Sequence, residues 1–263
     1  MSKRRSNAKS RADSFNQFLN RNPIVEIPTE YNRTQKVFSV HDMKSIQPMT
    51  RNQAKVFDLW KDDYNIVLSG SAGTGKTTLS IYLALQEILN PDSEYEKLTI
   101  IRGTTQTKDI GFLKGSIEEK ISVFETPYIQ IFDDLFKRKN QYKFMKESGL
   151  VEFISTSFLR GQNLSNTIIV IDESAGLTYH EIATCITRCA KSSKIVIIGD
   201  VKQNDLIYKR NETSGFAQFL EVSTMMPSVR QVTFTIADCV RSGLAKEFLE
   251  ADEMWDNRQH LKK

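Results

Sequence analysis

The chain has 263 residues, of which 40% are hydrophobic and 26% are charged, as is usual for a globular protein. No run of about 18 apolar residues occurs, so a membrane span is not expected, and the charged N-terminus lacks the apolar segment of a secretory signal. We therefore predict a cytoplasmic protein with no membrane partner.

The positive charge is concentrated at the N-terminus. The formal net charge is +4, yet residues 1–22 hold six basic side chains and one acidic one, a net of +5, which leaves −1 for the other residues. Residues 1–40 also have low hydrophobicity and no clear periodicity, so we predict a disordered basic arm there and a single domain over residues 41–263. Such an arm either binds nucleic-acid phosphates or is a solvated leader.

Short apolar runs alternate with longer segments of helical periodicity. The runs predict strands at Asn65–Leu68, Leu98–Ile101, Val151–Ile154, Ile168–Ile171, Lys194–Ile198 and Gln231–Thr235. Helices are predicted at Lys76–Leu89, Tyr128–Phe136, Gln141–Lys146, Thr178–Cys189 (with Thr178 as its N-cap) and Asp238–Glu250. This alternation indicates an α/β fold with a mainly parallel sheet and helices on both faces. Ligands of such sheets bind beyond the carboxyl ends of the strands.

The first chemical motif directly follows the first predicted strand and opens a helix. It has the pattern G-x-x-x-x-G-K-T and consists of Gly70, Ser71, Ala72, Gly73, Thr74, Gly75, Lys76 and Thr77, with Thr78 next to it. Glycines let successive backbone N–H groups point at phosphate oxygens, and the helix N-terminus adds positive potential. We predict that these residues bind ATP, that Lys76 reaches the β- and γ-phosphates, and that Thr77 ligates Mg²⁺.

The second motif is a carboxylate pair at the end of the apolar strand Ile168–Ile171. Asp172 is predicted to hold Mg²⁺, directly or through water, and Glu173 is predicted to polarise an attacking water. A carboxylate pair on a surface often signifies only solvation, but this pair follows a buried strand about 100 residues after a phosphate loop. A water-activating glutamate favours hydrolysis over phosphate transfer to an acceptor.

Three further residues are candidates for the same site. Gln203 lies in a Gly-Asp turn after the strand Lys194–Ile198 and is predicted to contact the γ-phosphate and the water; a simple polar turn is the alternative. Gln53 precedes the first strand, where its amide is suited to adenine. Arg241 follows the last strand and is a candidate arginine finger. Gln53 and Arg241 are equally compatible with ordinary surface positions.

Several segments around these motifs point to one family. Residues 110–120 are IGFLKGSIEEK, residues 158–164 are FLRGQNL, residues 199–206 are GDVKQNDL, and residues 238–242 are DCVRS. With the phosphate loop, they resemble the PhoH-like (phosphate-starvation-inducible) ATPase family, related to superfamily 1 helicase cores. The resemblance implies a RecA-like P-loop ATPase domain, Mg²⁺-dependent ATP hydrolysis and a role in RNA metabolism; some members form rings. Residues 174–176 depart from the family, with SAG in place of Ala-Gln-Asn.

Two functions follow as hypotheses. The first is a helicase-like ATPase that remodels RNA or single-stranded DNA. Superfamily 1 helicases close two RecA-like domains around one nucleotide, and this chain has room for one, so we expect a homo-oligomer, with a ring as one form. An arginine would then act across the interface, with Arg241 as first candidate and Arg160 or Arg210 as alternatives. The second hypothesis is a nucleotide-dependent switch or assembly factor without unwinding activity. A small-molecule kinase is a third, less favoured class.

Overall fold

Six parallel strands form the centre of the protein. The computed structural model describes residues 38–103, 117–159, 161–190, 192–200 and 215–260, without the side chains of residues 117–121, 256, 257, 259 and 260. The strands are β1 (Asn65–Gly70), β2 (Lys97–Arg102), β3 (Val151–Ser155), β4 (Thr167–Asp172), β5 (Ser193–Gly199) and β6 (Val229–Phe234). Each contains most of a predicted apolar run and extends it by a residue or more. Residues 1–37 lie outside the described part, so the basic arm and its boundary stay predictions.

The strand order in the sheet is β3-β2-β4-β5-β1-β6. All five neighbouring pairs are parallel, so the carboxyl ends of all six strands lie at one edge of the sheet. Every residue of β4 is buried, as expected for a strand that is covered on both faces. One strand, β5, separates β1 from β4, and this spacing positions the two principal motifs relative to each other.

Helices cover both faces of the sheet, as predicted. They are α1 (Arg51–Lys61), α2 (Lys76–Ile88), α3 (Ile117–Leu135), α4 (Gln141–Glu147), α5 (Tyr179–Ile186), α6 (Gly215–Ser223) and α7 (Leu244–His260). Alternate residues of β4 point to opposite faces: Ile168 and Val170 pack in the core under α1–α4, whereas Ile169 and Ile171 pack in the core under α5 and α6. The predicted RecA-like α/β fold is thereby confirmed.

The predicted helix boundaries are correct in some places and wrong in others. The helix predicted at Tyr128–Phe136 begins instead at Ile117 and ends at Leu135. Thr178 caps α5 as predicted, in a capping box with Glu181. The helix predicted at Asp238–Glu250 begins instead at Leu244 and continues to His260. Asp238 ends a separate 3-10 turn, where its carboxylate accepts hydrogen bonds from the Thr235 backbone and the Asn52 amide. Within the described residues, no helix is long and apolar enough to cross a membrane.

Candidate nucleotide-binding and catalytic site

The sheet brings the phosphate loop and the carboxylate pair together. Strand β1 enters the loop at Gly70, and β4 ends at Asp172, two strand spacings away, or about 10 Å at about 4.8 Å per spacing. The first residues of α2 bridge this gap. The Thr77 hydroxyl donates a hydrogen bond to Asp172 Oδ1 over 3.1 Å. The two predicted metal ligands are therefore neighbours, although 95 positions separate them in the sequence.

Lys76 lies inside the phosphate loop. Its ammonium donates hydrogen bonds to the carbonyl oxygens of Gly70 and Ser71, each over 2.7 Å, and a longer one to the Thr74 hydroxyl. Burial lowers the pKa of Lys76 from its ordinary value, and the negative charges of nearby carboxylates oppose that shift. An anion in the loop would offer this partly desolvated cation a stronger partner than neutral carbonyls.

The shape of the loop depends on glycine at two crowded positions. Gly70 has φ +106°, and a Cβ there would lie 1.9 Å from the Phe234 carbonyl oxygen. Gly73 has φ +73°, and its Cβ would lie 2.8 Å from the Arg241 side chain. At Gly70 the positive φ and the backbone neighbour together exclude larger residues, whereas at Gly73 a larger residue would be strained by the positive φ and would displace the Arg241 side chain. Four other predicted nucleotide-binding residues along the loop and the first turn of α2 are half-buried: Ser71, Ala72, Gly75 and Thr78.

Asp172 is held by three donors. Its Oδ1 accepts hydrogen bonds from Thr77 and from the Glu173 backbone N–H, the latter over 3.0 Å. Its Oδ2 accepts one from the phenol of Tyr128, also over 3.0 Å. Burial raises the pKa of Asp172, and the bonds from Tyr128, Glu173 and Thr77 counteract that rise. Tyr128 is fully buried in α3, and the sequence motifs did not indicate it.

Glu173 adopts an unusual backbone conformation. Its φ is +55°, in the left-handed region that non-glycine residues enter at some cost. In this conformation its side chain is 56% exposed and lies 3.7 Å from the Arg102 guanidinium at the end of β2. Burial, followed by the charge of Asp172, raises the pKa of Glu173, while Arg102 and Lys76 lower it. A carboxylate with these properties is suited to accept a proton from water.

Gln53 belongs to the same cluster but has a different contact from the predicted one. The side chain is buried in α1. Its amide nitrogen donates a hydrogen bond to the Thr74 carbonyl over 3.0 Å, and its amide oxygen accepts one from the Met49 backbone over 2.8 Å. Both ends of the amide therefore bind the chain itself and fasten the phosphate loop to α1. Adenine recognition by Gln53 stays a prediction.

Arg241 lies against the phosphate loop of its own chain. Its side chain contacts the face of Gly73, and the preceding Val240 N–H donates a hydrogen bond to the Gly73 carbonyl over 3.0 Å. The structure therefore brings Arg241 to the loop without a second subunit. Gln203, Arg160 and Arg210 lie outside the described residues, so their roles stay predictions.

Comparison with known proteins agrees with the motifs. The PhoH-like protein family model matches residues 45–253. The chain belongs to the PhoH-like family. Protein PhoH2 of Bacillus subtilis (strain 168) is 32% identical over 216 residues, which are 80% of this chain and 48% of that protein. Protein PhoH of Escherichia coli (strain K12) is 30% identical over 218 residues, which are 80% of this chain and 60% of that protein. The chain thus spans about half the length of these relatives.

Among solved structures, the large terminase of a thermophilic bacteriophage is 15% identical, and the match covers 76% of this chain and 48% of the terminase, with a TM-score of 0.40. Pif1 helicase from Candida albicans is 17% identical, and the match covers 72% of this chain and 40% of the helicase, with a TM-score of 0.34. At these scores, neither likeness carries an argument about this PhoH-like chain.

The donor set of the PhoH-like chain fits a nucleotide with Mg²⁺. Oxygen atoms of Thr77 and Asp172 are hard ligands of the kind that Mg²⁺ prefers, and only 3.1 Å separates two of them. Backbone N–H groups of the glycine loop and the Lys76 ammonium are suited to phosphate oxygens. These residues would hold the metal and the triphosphate, and the bound metal would supply charge neutralisation at the phosphates.

Proposed function

We propose that the PhoH-like chain is a Mg²⁺-dependent ATPase. The observation that carries the proposal is the convergence of Lys76, Thr77, Asp172 and Glu173 at one edge of the sheet, with Thr77 and Asp172 in direct contact. Lys76 provides positive charge for the β- and γ-phosphates. Thr77 and Asp172 provide oxygen ligands, and Glu173 provides a base for water.

The two carboxylates differ in surroundings, and the difference supports separate roles. Asp172 is buried and accepts three hydrogen bonds, so its position is restricted. The Glu173 side chain is half-exposed and lies 3.7 Å from the Arg102 guanidinium, so it is free to meet a water molecule. Arg102 is therefore suited to orient Glu173 between turnovers without neutralising it completely.

We further propose that ATP hydrolysis is coupled to remodelling of RNA or single-stranded nucleic acid by a homo-oligomer. The basic residues within positions 1–22 support contact with phosphates. The described residues form one sheet, and this supports the proposal that a neighbouring subunit covers the nucleotide. The alternative is a nucleotide-dependent switch or assembly factor, supported by the same hydrolytic residues and needing no unwinding. The cytoplasmic location stays part of this proposal.

The decisive measurement is phosphate release with and without RNA or single-stranded DNA, on protein whose oligomeric state is known. A motor's rate rises with nucleic acid, whereas the rate of a switch does not respond. A phosphorylated acceptor in place of free phosphate would exclude both and establish a kinase.

Glu173→Gln tests the catalytic assignment. We expect nucleotide binding to stay within about threefold of wild type while hydrolysis falls by about two to four orders of magnitude, the usual contribution of a general base. Glu221→Gln is the matched control, because Glu221 is exposed on α6 and belongs to none of the motifs. Normal hydrolysis by Glu173→Gln would show that another group activates the water.

A further inference from the structure

The last described helix, α7, carries an apolar stripe on its outer surface. Leu244, Phe248 and Trp255 are 80%, 64% and 61% exposed. Their spacings of four and seven residues place them on one face of the helix. Exposed large apolar side chains that form a continuous stripe are unusual on a surface without a partner.

The packing of α7 explains why the stripe faces outward. Its main contact within the described residues is the short turn at Ile236–Asp238. Among the side chains of α7 that the structure describes, those that are half-buried lie on the side opposite the stripe: Leu249, Glu250 and Glu253. The sequence of α7 has five carboxylates and two basic side chains, a net of −3. A matching surface therefore needs an apolar centre with basic side chains around it.

A surface of that kind occurs at α4. Residues 137–147 contain five basic side chains and one acidic one, a net of +4, and a net of +2 remains after the ion pairs of Lys139 with Asp133 and of Lys146 with Glu125 are included. Phe144, near the middle of α4, is 47% exposed. The Lys143 side chain beside it is 73% exposed, and its ion pair with Glu147 spans 3.9 Å, so the pair contributes little and is easily exchanged.

The two surfaces lie at opposite edges of the sheet. Helix α4 leads into β3, α7 follows β6, and these are the two outer strands. Five strand spacings of about 4.8 Å separate β3 from β6 by about 24 Å. Pairing α7 with the α7 of another copy would oppose two helices of net charge −3, which disfavours it. A second copy that presents α4 provides α7 with both opposite charge and an apolar side chain to pack against.

We infer that α7 of one copy docks through Leu244, Phe248 and Trp255 onto the Phe144 face of α4 in a second copy. The contact is head-to-tail, so repeating it produces a closed ring or an open filament. This inference rests on the proposed homo-oligomer and names its surfaces. Opposite charge steers the encounter, and the aromatic side chains provide the buried centre.

The same interface lies close to the nucleotide site. Arg241 contacts Gly73, and Leu244 follows it by three residues. Gly243, with φ +63°, links the two. A neighbour that holds α7 therefore also restrains the segment that touches the phosphate loop, which connects assembly to nucleotide occupancy.

The first experiment is sedimentation velocity on the full chain over a range of concentrations. We expect Phe248→Ser and Phe144→Ser each to raise the dissociation constant of self-association by about tenfold or more, because each removes an aromatic residue from the interface. Met225→Ser is the matched control, since Met225 is 78% exposed but lies on neither surface. Circular dichroism verifies folding, and Trp255→Ser serves as a second α7 variant should Phe248→Ser fail to fold.

Mixing the two variants identifies the pairing. Phe248→Ser protein retains a normal α4, and Phe144→Ser protein retains a normal α7, so the mixture forms heterodimers that neither variant forms alone. Pairing of α7 with α7 would leave Phe144→Ser as associated as wild type and overturn the inference. The inference is also overturned if Phe144→Ser self-associates like wild type and loses only its affinity for single-stranded RNA, since α4 would then be a nucleic-acid surface.

The outcomes separate this inference from the proposed function. If wild type assembles and both variants assemble equally well, only the choice of surfaces is wrong. If wild type is monomeric at all concentrations and hydrolyses ATP at its full rate, the proposed oligomer and this interface are both refuted, while the ATPase assignment stands.

Discussion

The contact between Tyr128 and Asp172 allows a quantitative test of the site. Tyr128→Phe removes the phenolic hydroxyl and keeps the ring, which is fully buried and packs 5.7 Å from the Phe153 ring, centroid to centroid. Asp172 Oδ2 then loses its 3.0 Å donor inside the protein. No cavity larger than one oxygen atom is created, so the effect reports on the hydrogen bond.

The expected loss of stability follows from the burial of the acceptor. A hydrogen bond to a charged group contributes about 1.5–3 kcal/mol. A domain of this size changes its melting temperature by about 2–4 °C per kcal/mol, so we expect Tyr128→Phe to melt about 3–12 °C below wild type. The released carboxylate oxygen is also free to rotate. We therefore expect the Mg²⁺ concentration required for half-maximal ATP hydrolysis to rise, while Mg²⁺-free nucleotide affinity stays unchanged.

Tyr95→Phe provides the matched control. The Tyr95 phenol also donates to an aspartate, Asp63, over 3.3 Å, but the Asp63 side chain is 70% exposed. Water replaces that donor, so the cost should stay below about 1 kcal/mol. The assays are thermal unfolding and Mg²⁺ titration of hydrolysis. Equal losses of stability in the two variants, or an unchanged Mg²⁺ requirement in Tyr128→Phe, would refute the reasoning.

Three further substitutions and one control test the loop and its carboxylate. Lys76→Ala should weaken binding of a fluorescent ATP analogue by about tenfold to a hundredfold, since it removes a charged hydrogen-bond donor; unchanged affinity would exclude the proposed phosphate contact. In Gly73→Ala the free energy of unfolding should fall by about 1 kcal/mol, because an alanine is strained at this positive φ. The nucleotide affinity should fall as well, because the new Cβ would meet the Arg241 side chain at 2.8 Å. Gly149→Ala is the control, because Gly149 has φ +78° and a Cβ there would have no neighbour within 4 Å. Its free energy of unfolding should fall by a similar amount, while its nucleotide affinity should stay unchanged. Burial raises the pKa of Asp172, so the ionised carboxylate destabilises the folded state once the pH exceeds the ordinary pKa of an aspartate. Asp172→Asn removes this charge, and we expect the nucleotide-free variant to melt no lower than wild type at about pH 8. A lower melting temperature would contradict this reasoning.

The site residues that could be predicted from the sequence belong to patterns that depend only on neighbouring residues. Lys76 and Thr77 belong to a loop whose glycines and following helix are contiguous, and Asp172 directly follows an apolar run. Such patterns predict the chemistry of a segment because the backbone geometry they need is itself local. The same reasoning correctly predicted the six strands and the cap at Thr178.

The residues that the sequence missed owe their roles to distant partners. Tyr128 lies 44 positions before Asp172 in a helix with ordinary apolar periodicity, and nothing nearby marks its hydroxyl. The start of α7 was misplaced because Asp238 is bound by Asn52, 186 positions away. Adenine recognition by Gln53 stays a prediction, and nothing in the local sequence indicated that its amide binds the Thr74 carbonyl. Each case depends on which side chains a completed core brings together.

The sequence by itself determined the phosphate loop, the parallel strands and the carboxylate pair, because glycine spacing and apolar runs act over a few residues. Only the tertiary structure decided which atoms meet: the order of the strands brings Thr77 to Asp172, α3 brings Tyr128 to Asp172, and the segment after β6 brings Arg241 to Gly73. Long-range packing sets these contacts, and its geometry is a property of the whole sheet.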